Sequence, residues 1–348
     1  MLDYLSEAQA VALIGLLGGI ALGLAARVGR FCTLGAIEDA LYGGDERRLR
    51  MWGIAIGTAV IAAHLAMPFD LIAAEDTAYV ALTWNPVGAV LGGLTFGYGM
   101  ALSGNCGYGA LARLGGGDLR SLMIVLVMGI SAYIVMSGPL ATLRLTLFPV
   151  DTAPDPQSMS LAIEALTGVP RWITGVAIGA IILGATFAHQ WEPMTVRHIF
   201  WGAVVGLAVV SGWIGTEWVS VHGFSAEIPR THTFAAPIGE TTLFLMTASG
   251  TPLTFGVGSI AGVLVGSWIG SCLRGEFRWE ACDDSRELKR QMVGAALMGG
   301  GAILAVGCSI GQGVSAFSLL AYSAAPTLLS IFAGAALGLR HLLLGYSQ

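Results

Sequence analysis

Nine stretches of this chain are apolar for long enough to cross or enter a bilayer: residues 8–28, 51–67, 86–103, 121–143, 171–189, 199–216, 254–271, 292–307 and 326–344. Within hydrocarbon every backbone N–H and C=O must find its partner inside the protein, so such stretches can only be helices of a bundle. Of the 348 residues 55% are hydrophobic and 11% charged, whereas a soluble domain carries roughly 25% charge. The fold expected is an all-α integral membrane protein of about nine transmembrane helices, with residues 1–348 forming a single membrane domain. Residues 1–9 hold Asp3 and Glu7 and no base, unlike the basic start of a cleavable secretory signal, so the first segment is expected to remain.

Glycine accounts for 50 residues and recurs at a spacing of four, as in Gly53/Gly57, Gly88/Gly92, Gly262/Gly266/Gly270 and Gly334/Gly338. In lipid, where burial of apolar surface does not drive helices together, small residues let backbones approach closely enough for dispersion to hold them. A tight bundle follows. The net charge of -5 says less than the side on which the charges lie. With the N-terminus outside, 14 of the 17 basic residues fall on the inner side, and only Arg144, Arg171 and Arg230 stay outside. This bias predicts N-terminus out and C-terminus in. The two longest outer segments, 144–170 and 217–253, read as loops, the first with a short helix within 158–166.

Four of the five cysteines obey one local rule. Cys32-Thr33-Leu34-Gly35, Cys106-Gly107-Tyr108-Gly109, Cys272-Leu273-Arg274-Gly275 and Cys308-Ser309-Ile310-Gly311 all read C-x-x-G, each at or near the end of an apolar stretch. The pieces that follow, 33–42, 107–114, 273–280 and 309–322, are too short to span and read as re-entrant half-helices, tolerated at membrane depth where protein or a water-filled cavity covers their ends. A Gly-rich span, a C-x-x-G, a short helix and another span follow one another in 86–143 and again in 292–344. Upstream of each lies a further C-x-x-G, at Cys32 and at Cys272, followed by a charged stretch. The chain thus divides into a first half-repeat, 8–143, an outer connecting loop, 144–170, and a second half-repeat, 171–344. An odd number of spans between corresponding elements makes the halves inverted, with their common site at the midplane.

A neutral thiol is a weak donor with a soft, polarisable sulfur. Burial disfavours its charged form, so a thiol in a dry membrane pocket stays protonated and can donate to an anion. At the start of a short helix it also sits beside free backbone N–H groups and the positive end of the dipole. That combination suits a soft sulfur-containing anion, although a buried cysteine is also an ordinary small apolar residue. Asn105 and Tyr108 beside Cys106, and Ser309 and Gln312 beside Cys308, are further candidate donors, each equally able to serve interhelical hydrogen bonding. Glu38 and Asp39, close in sequence to Arg30, Arg47 and Arg48, read as ion-pair partners, and His64 as a helix-packing residue. Cys282 lacks the pattern and is assigned no role.

The blocks GNCGYGALARLGGGDLRSL, GSWIGSCLRGEFRWE and MGGGAILAVGCSIGQGVSAFS, around Cys106, Cys272 and Cys308, resemble the cysteine-bearing blocks of the YeeE/YedE family of sulfur-compound permeases. The resemblance extends over about residues 10–345. It implies a two-fold pseudo-symmetric bundle in the bacterial cytoplasmic membrane that takes up thiosulfate, with three cysteines passing the ion along by S–H hydrogen bonds. Those roles would fall on Cys106, Cys272 and Cys308, while Cys32 matches the internal repeat but not the three-cysteine relay. It also implies a cytosolic sulfur-carrier partner of the TusA type. The basic residues of loop 273–290 are a candidate dock, although Glu276, Glu280, Asp283, Asp284 and Glu287 offset them.

Other classes fit less well. A membrane thiol oxidoreductase or sulfurtransferase would use the same thiols, but no C-x-x-C pair is present, which also leaves no zinc site and no thioredoxin-like dithiol. An anion channel is a third reading, for which a narrow thiol constriction argues for selectivity but not for the energetics. The sequence shows no nucleotide-binding loop, and no cofactor and no nucleic-acid partner are expected; the surroundings are lipid.

Overall fold

The computed structural model describes residues 5–188, 193–224, 228–281 and 284–345, so Cys282 lies outside the described residues. The chain is built from a recurring unit of long helix, short helix and long helix. The first is α1 (Glu7–Arg27), α2 (Thr33–Glu38) and α3 (Arg47–Ala66). After the single turn α4 (Ala78–Ala81), the second comprises α5 (Pro86–Ser103), α6 (Gly107–Gly115) and α7 (Leu119–Met136). Two short helices, α8 (Ala141–Leu147) and α9 (Met159–Thr167), lead to the long α10 (Arg171–Ala188). The third unit is α11 (Val196–His222), α12 (Ala235–Thr247) and α13 (Phe255–Leu273). The fourth is α14 (Ser285–Leu304), a buried π-helical turn Gly311–Ala316, and α15 (Ala324–Gly345).

Polar caps set where the helices begin. Ser6 and Gln9 form a reciprocal capping box at α1. Asn85 accepts the Gly88 N–H with Pro86 in the first turn of α5, and Asp118, Thr254 and Asp284 cap α7, α13 and α14. Gly104, left-handed at φ 75°, ends α5.

The units pair in a regular way. α1 packs on α13 and α3 on α11, joining the first unit to the third; α5 packs on α15 and α7 on α14, joining the second to the fourth. Glycine makes both principal contacts. A Cβ on Gly262 would lie 2.9 Å from the Gly19 Cα across α1 and α13, and one on Gly334 would lie 2.9 Å from the Leu94 Cα across α5 and α15. α10 stands outside the pattern against α3, its only buried residues Gly175 and Gly179.

The protein is a multi-pass membrane protein. Among the described residues, eight helices are long and apolar enough to cross a membrane. α14 is comparable in length, at 20 residues, but Arg286, Glu287, Lys289 and Arg290 occupy its first two turns. The structure departs from the sequence reading in three places. The apolar run 121–143 breaks at Ser137-Gly138-Pro139, between α7 and α8. Segment 217–253 is not a loop: α11 continues to His222, and α12 is a fourth short helix, with Pro237 tolerated in its first turn. Residues 273–280, expected as a half-helix, form none: Leu273 is the last residue of α13 and no helix follows it up to Glu280. Gly275, at φ 66°, ends α13, and the following backbone runs extended, Glu280 N–H donating to the Gly117 carbonyl at 3.1 Å and Leu119 N–H to the Glu280 carbonyl at 3.0 Å.

Candidate functional site

Three of the C-x-x-G cysteines occupy one structural position, the cap of a short helix. Cys106 and Cys32 are the extended N-cap residues of α6 and α2, and their sulfurs accept the N–H groups of Gly109 at 3.4 Å and Gly35 at 3.5 Å. Cys308 opens the turn after α14 and accepts the Gly311 N–H at 3.4 Å. The motif therefore has a local cause: the sulfur takes the place of the usual Ser or Asp oxygen at the cap, and the N–H it receives belongs to the glycine three residues on. At Gly311 that glycine also makes room, because a Cβ there would lie 3.0 Å from the Tyr79 hydroxyl oxygen. A thiol that accepts at its sulfur keeps its own S–H to donate.

These caps meet through the residues that follow them. Thr33, next to Cys32, has its hydroxyl 3.8 Å from the Cys106 sulfur and donates to the Ser309 hydroxyl at 3.2 Å. Ser309 is next to Cys308. Thr33, Cys106, Cys308 and Ser309 are all buried. The third unit, whose short helix α12 starts without a cysteine, contributes at the corresponding place the Phe234 N–H, 3.4 Å from the Cys308 sulfur, and the Thr233 hydroxyl, 3.6 Å from it. Each of the four short elements thus sends one end to the same buried spot. Aromatic rings wall it: Tyr108 lies 5.1 Å from Phe234 and 6.5 Å from Phe31, centroid to centroid.

Among the candidate donors, Asn105 is buried beside Cys106. Tyr108 already donates its hydroxyl to the Leu22 carbonyl at 2.5 Å, so it serves the site as a wall. Gln312 is fully engaged. Its amide nitrogen donates to the Ala305 and Val306 carbonyls at 2.9 and 3.0 Å, and its oxygen accepts from Ser323 at 3.1 Å. It fastens the strained approach to Cys308, where Val306 has φ 53° and Gly307 φ 153°.

Cys272 stands apart. It lies in the last turn of α13, exposed, outside the buried cluster that holds Cys106 and Cys308 and against which Cys32 packs. The expectation that it begins a short helix fails for the reason given above, since α13 runs through it and ends just beyond. A helix C-terminus presents carbonyls and the negative end of the dipole, which repel an anion. Asp39 pairs with Arg48 at 3.3 Å, and His64 packs against Gly175 while its Nδ1 lies 2.9 Å from the Val60 carbonyl oxygen.

Cavities open at both ends of α13. One of about 330 Å³, by Phe255 and Gly256, has Thr233 and Gly307 in its wall, next to Cys308, and carries Arg144, Arg230 and Glu240. The other, about 620 Å³, lies by Gly275 and Glu276 and is lined by Arg27, Arg113, Arg120 and Arg278 with Asp118 and Glu280. Arg144 and Arg230 come from segments whose sequence reads as loop; only the positive-inside count had singled them out, as exceptions. Cys106 and Cys308 line neither cavity and are 1% and 2% exposed, so among the described residues both thiols are closed off from solvent.

The profile of the sulphur transport family matches residues 28–337. The chain is 26% identical over 316 residues to the thiosulfate transporter TsuA of Spirochaeta thermophila, covering 89% of this chain and 92% of that protein. It is 27% identical over 321 residues to the thiosulfate transporter TsuA of Escherichia coli, covering 87% and 86%. The chain belongs to the sulphur transport family, a family of membrane transporters and not of enzymes.

Proposed function

We propose that this member of the sulphur transport family takes up thiosulfate, or a closely related small sulfur anion, across the bacterial cytoplasmic membrane along a path formed by Cys32, Cys106 and Cys308. The observation that carries the reading is the junction of the three thiol-capped elements, in which Thr33 touches both the Cys106 sulfur and Ser309. Relatives over nearly the whole chain named as thiosulfate transporters support the substrate class. Each thiol donates its S–H to the ion in turn, with the N-terminal N–H groups of the short helices adding partial positive charge. No covalent bond forms. The ion exchanges its hydration shell for neutral donors, and with the buried sulfurs closed off from both cavities it crosses by local opening, not through a standing pore.

In this reading nine long helices span the membrane. The halves 8–143 and 171–344 are inverted about the thiols and joined by 144–170, with the N-terminus outside. The regular pairing of units one with three and two with four supports it. Cys272 leaves the path, and Cys32, which the resemblance places outside the three-cysteine relay, takes its position. The cavity beside Arg144 is then the outer entrance. The one beside Arg27 faces the cytosol, where a TusA-like sulfur carrier would collect the ion; no cofactor takes part. The test is uptake of radiolabelled thiosulfate by cells lacking other importers, with sulfate as competitor. Uptake dependent on this protein and resistant to excess sulfate is the outcome the reading requires; no uptake above the empty-vector control sinks it.

A further inference from the structure

We infer that Arg144 and Trp84 form an anion-capture subsite in the outer approach to Cys308, the place where the ion first exchanges water for protein donors. The inference rests on the transport reading and adds to it a residue pair from outside the thiol motifs. Beside the outer cavity lies a smaller pocket of about 40 Å³ lined by Trp84, Asn85, Arg144, Phe148 and Ala305. Two side-chain donors in its wall, Trp84 Nε1 and Arg144 Nε, are buried without a hydrogen-bond partner among the described residues. Buried donors are rarely left unpaired. Two of them on one pocket, large enough for more than a single water, mark a place where an acceptor is missing.

Charge says which acceptor. The outer cavity carries Arg144, Arg230 and Glu240. Glu240 lies 3.8 Å from Arg230 and 3.4 Å from the Thr254 hydroxyl, so Arg230 has a counter-charge at hand. No ion pair of Arg144 is found among the described residues, and Arg144 is the only charged residue lining both the cavity and the small pocket. Its planar fork suits a tetrahedral oxyanion, and the indole N–H offers a second donor that cannot accept. The cavity continues to Thr233 and Gly307, which adjoin Cys308. An ion held at Arg144 is therefore held on the way to the first buried sulfur.

The experiment measures initial rates of thiosulfate uptake against concentration for the wild type, Arg144→Gln, Arg144→Lys, Trp84→Phe and Arg230→Gln, with membrane protein level determined for each. It also measures thermal stabilisation of the purified protein by thiosulfate. Loss of one charge-assisted hydrogen bond predicts a KM raised about ten- to a hundredfold in Arg144→Gln, with maximal rate near wild type. Arg144→Lys should recover part of the loss, Trp84→Phe should show a smaller rise, and Arg230→Gln the least. A wild-type KM in Arg144→Gln, or a fall in maximal rate alone, overturns the subsite. If the wild type takes up no thiosulfate yet is stabilised by it, and Arg144→Gln abolishes that stabilisation, the transport reading fails while the subsite stands. Stabilisation by phosphatidylglycerol that Arg144→Gln removes, with the response to thiosulfate intact, would make Arg144 a lipid-headgroup contact and overturn the inference.

Discussion

Thr33 donates its hydroxyl hydrogen to Ser309 across 276 positions of sequence, at 3.2 Å, and both side chains are buried. Each directly follows a cysteine, so this one bond ties the cap of α2 to the turn that begins at Cys308 and brings Cys106 within 3.8 Å of the same hydroxyl. Thr33→Val keeps the shape and removes the bond. Leaving the Ser309 hydroxyl without its donor costs about 1–3 kcal/mol, so the unfolding midpoint in detergent should fall and thiosulfate uptake with it, while Thr33→Ser retains both. Equal midpoints for the Val and Ser variants would mean that the bond contributes nothing.

The Gly19–Gly262 contact predicts a purely structural effect. In Gly262→Ala the new Cβ would lie 2.9 Å from the Gly19 Cα, backbone that cannot swing aside, so α1 and α13 must separate. Overpacking of this kind costs about 1–3 kcal/mol. The unfolding midpoint should drop, whereas Gly345→Ala, with open space around its Cβ, should leave it unchanged. A wild-type midpoint for Gly262→Ala would show that the two helices are not held this closely.

Gln312 acts on Cys308 through the chain. Gln312→Leu removes both donors that hold the Ala305 and Val306 carbonyls, and the loop with φ 53° at Val306 loses its fastening. The Cys308 thiol, 2% exposed in the intact protein, should then alkylate faster while the helical content by circular dichroism stays constant. An unchanged alkylation rate would leave Gln312 with no positioning role.

The helix starts at Cys32, Cys106 and Cys308 are legible in the sequence because they are local: a cysteine, two residues and a glycine after an apolar run suffice to mark them, whereas the sulfur accepting the glycine N–H is seen only in the structure. What the spelling lacks is the direction of the preceding helix. Cys272-Leu273-Arg274-Gly275 has the same letters, but there α13 continues through the cysteine and Gly275 is its C-terminal stop, so the motif marks an end and not a beginning. The fourth short helix, α12, was hidden for the opposite reason. It carries Thr233-Phe234 where the other three carry cysteine, and its part in the site, an N–H donated to the Cys308 sulfur and a hydroxyl in contact with it, is a tertiary fact. Arg144 and Arg230 were visible as outer charges, but only the tertiary fold places them on one cavity with Phe255 and Ile303. The long helices and their glycine contacts were plain from the apolar runs, because a bilayer leaves a chain few alternatives.

Cys272 offers a direct reading of orientation. It is exposed three residues before Gly275, which lines the cavity that the proposed topology places in the cytosol, and an accessible thiol reacts readily. An impermeant maleimide should label the peptide carrying Cys272 in inverted membrane vesicles and not in intact spheroplasts. Labelling from the outside would reverse the topology.

The central claim is that the ion passes from thiol to thiol at the junction of the three capped elements. Initial rates of labelled-thiosulfate uptake at matched membrane expression test it in Cys32→Ala, Cys106→Ala, Cys308→Ala and Cys272→Ala. Replacing the cap thiol should abolish or nearly abolish uptake at Cys106 and Cys308 and reduce it strongly at Cys32, while Cys272→Ala transports at the wild-type rate. Uptake that survives alanine at Cys32, Cys106 and Cys308 together, or that is lost with Cys272 alone, would contradict the account.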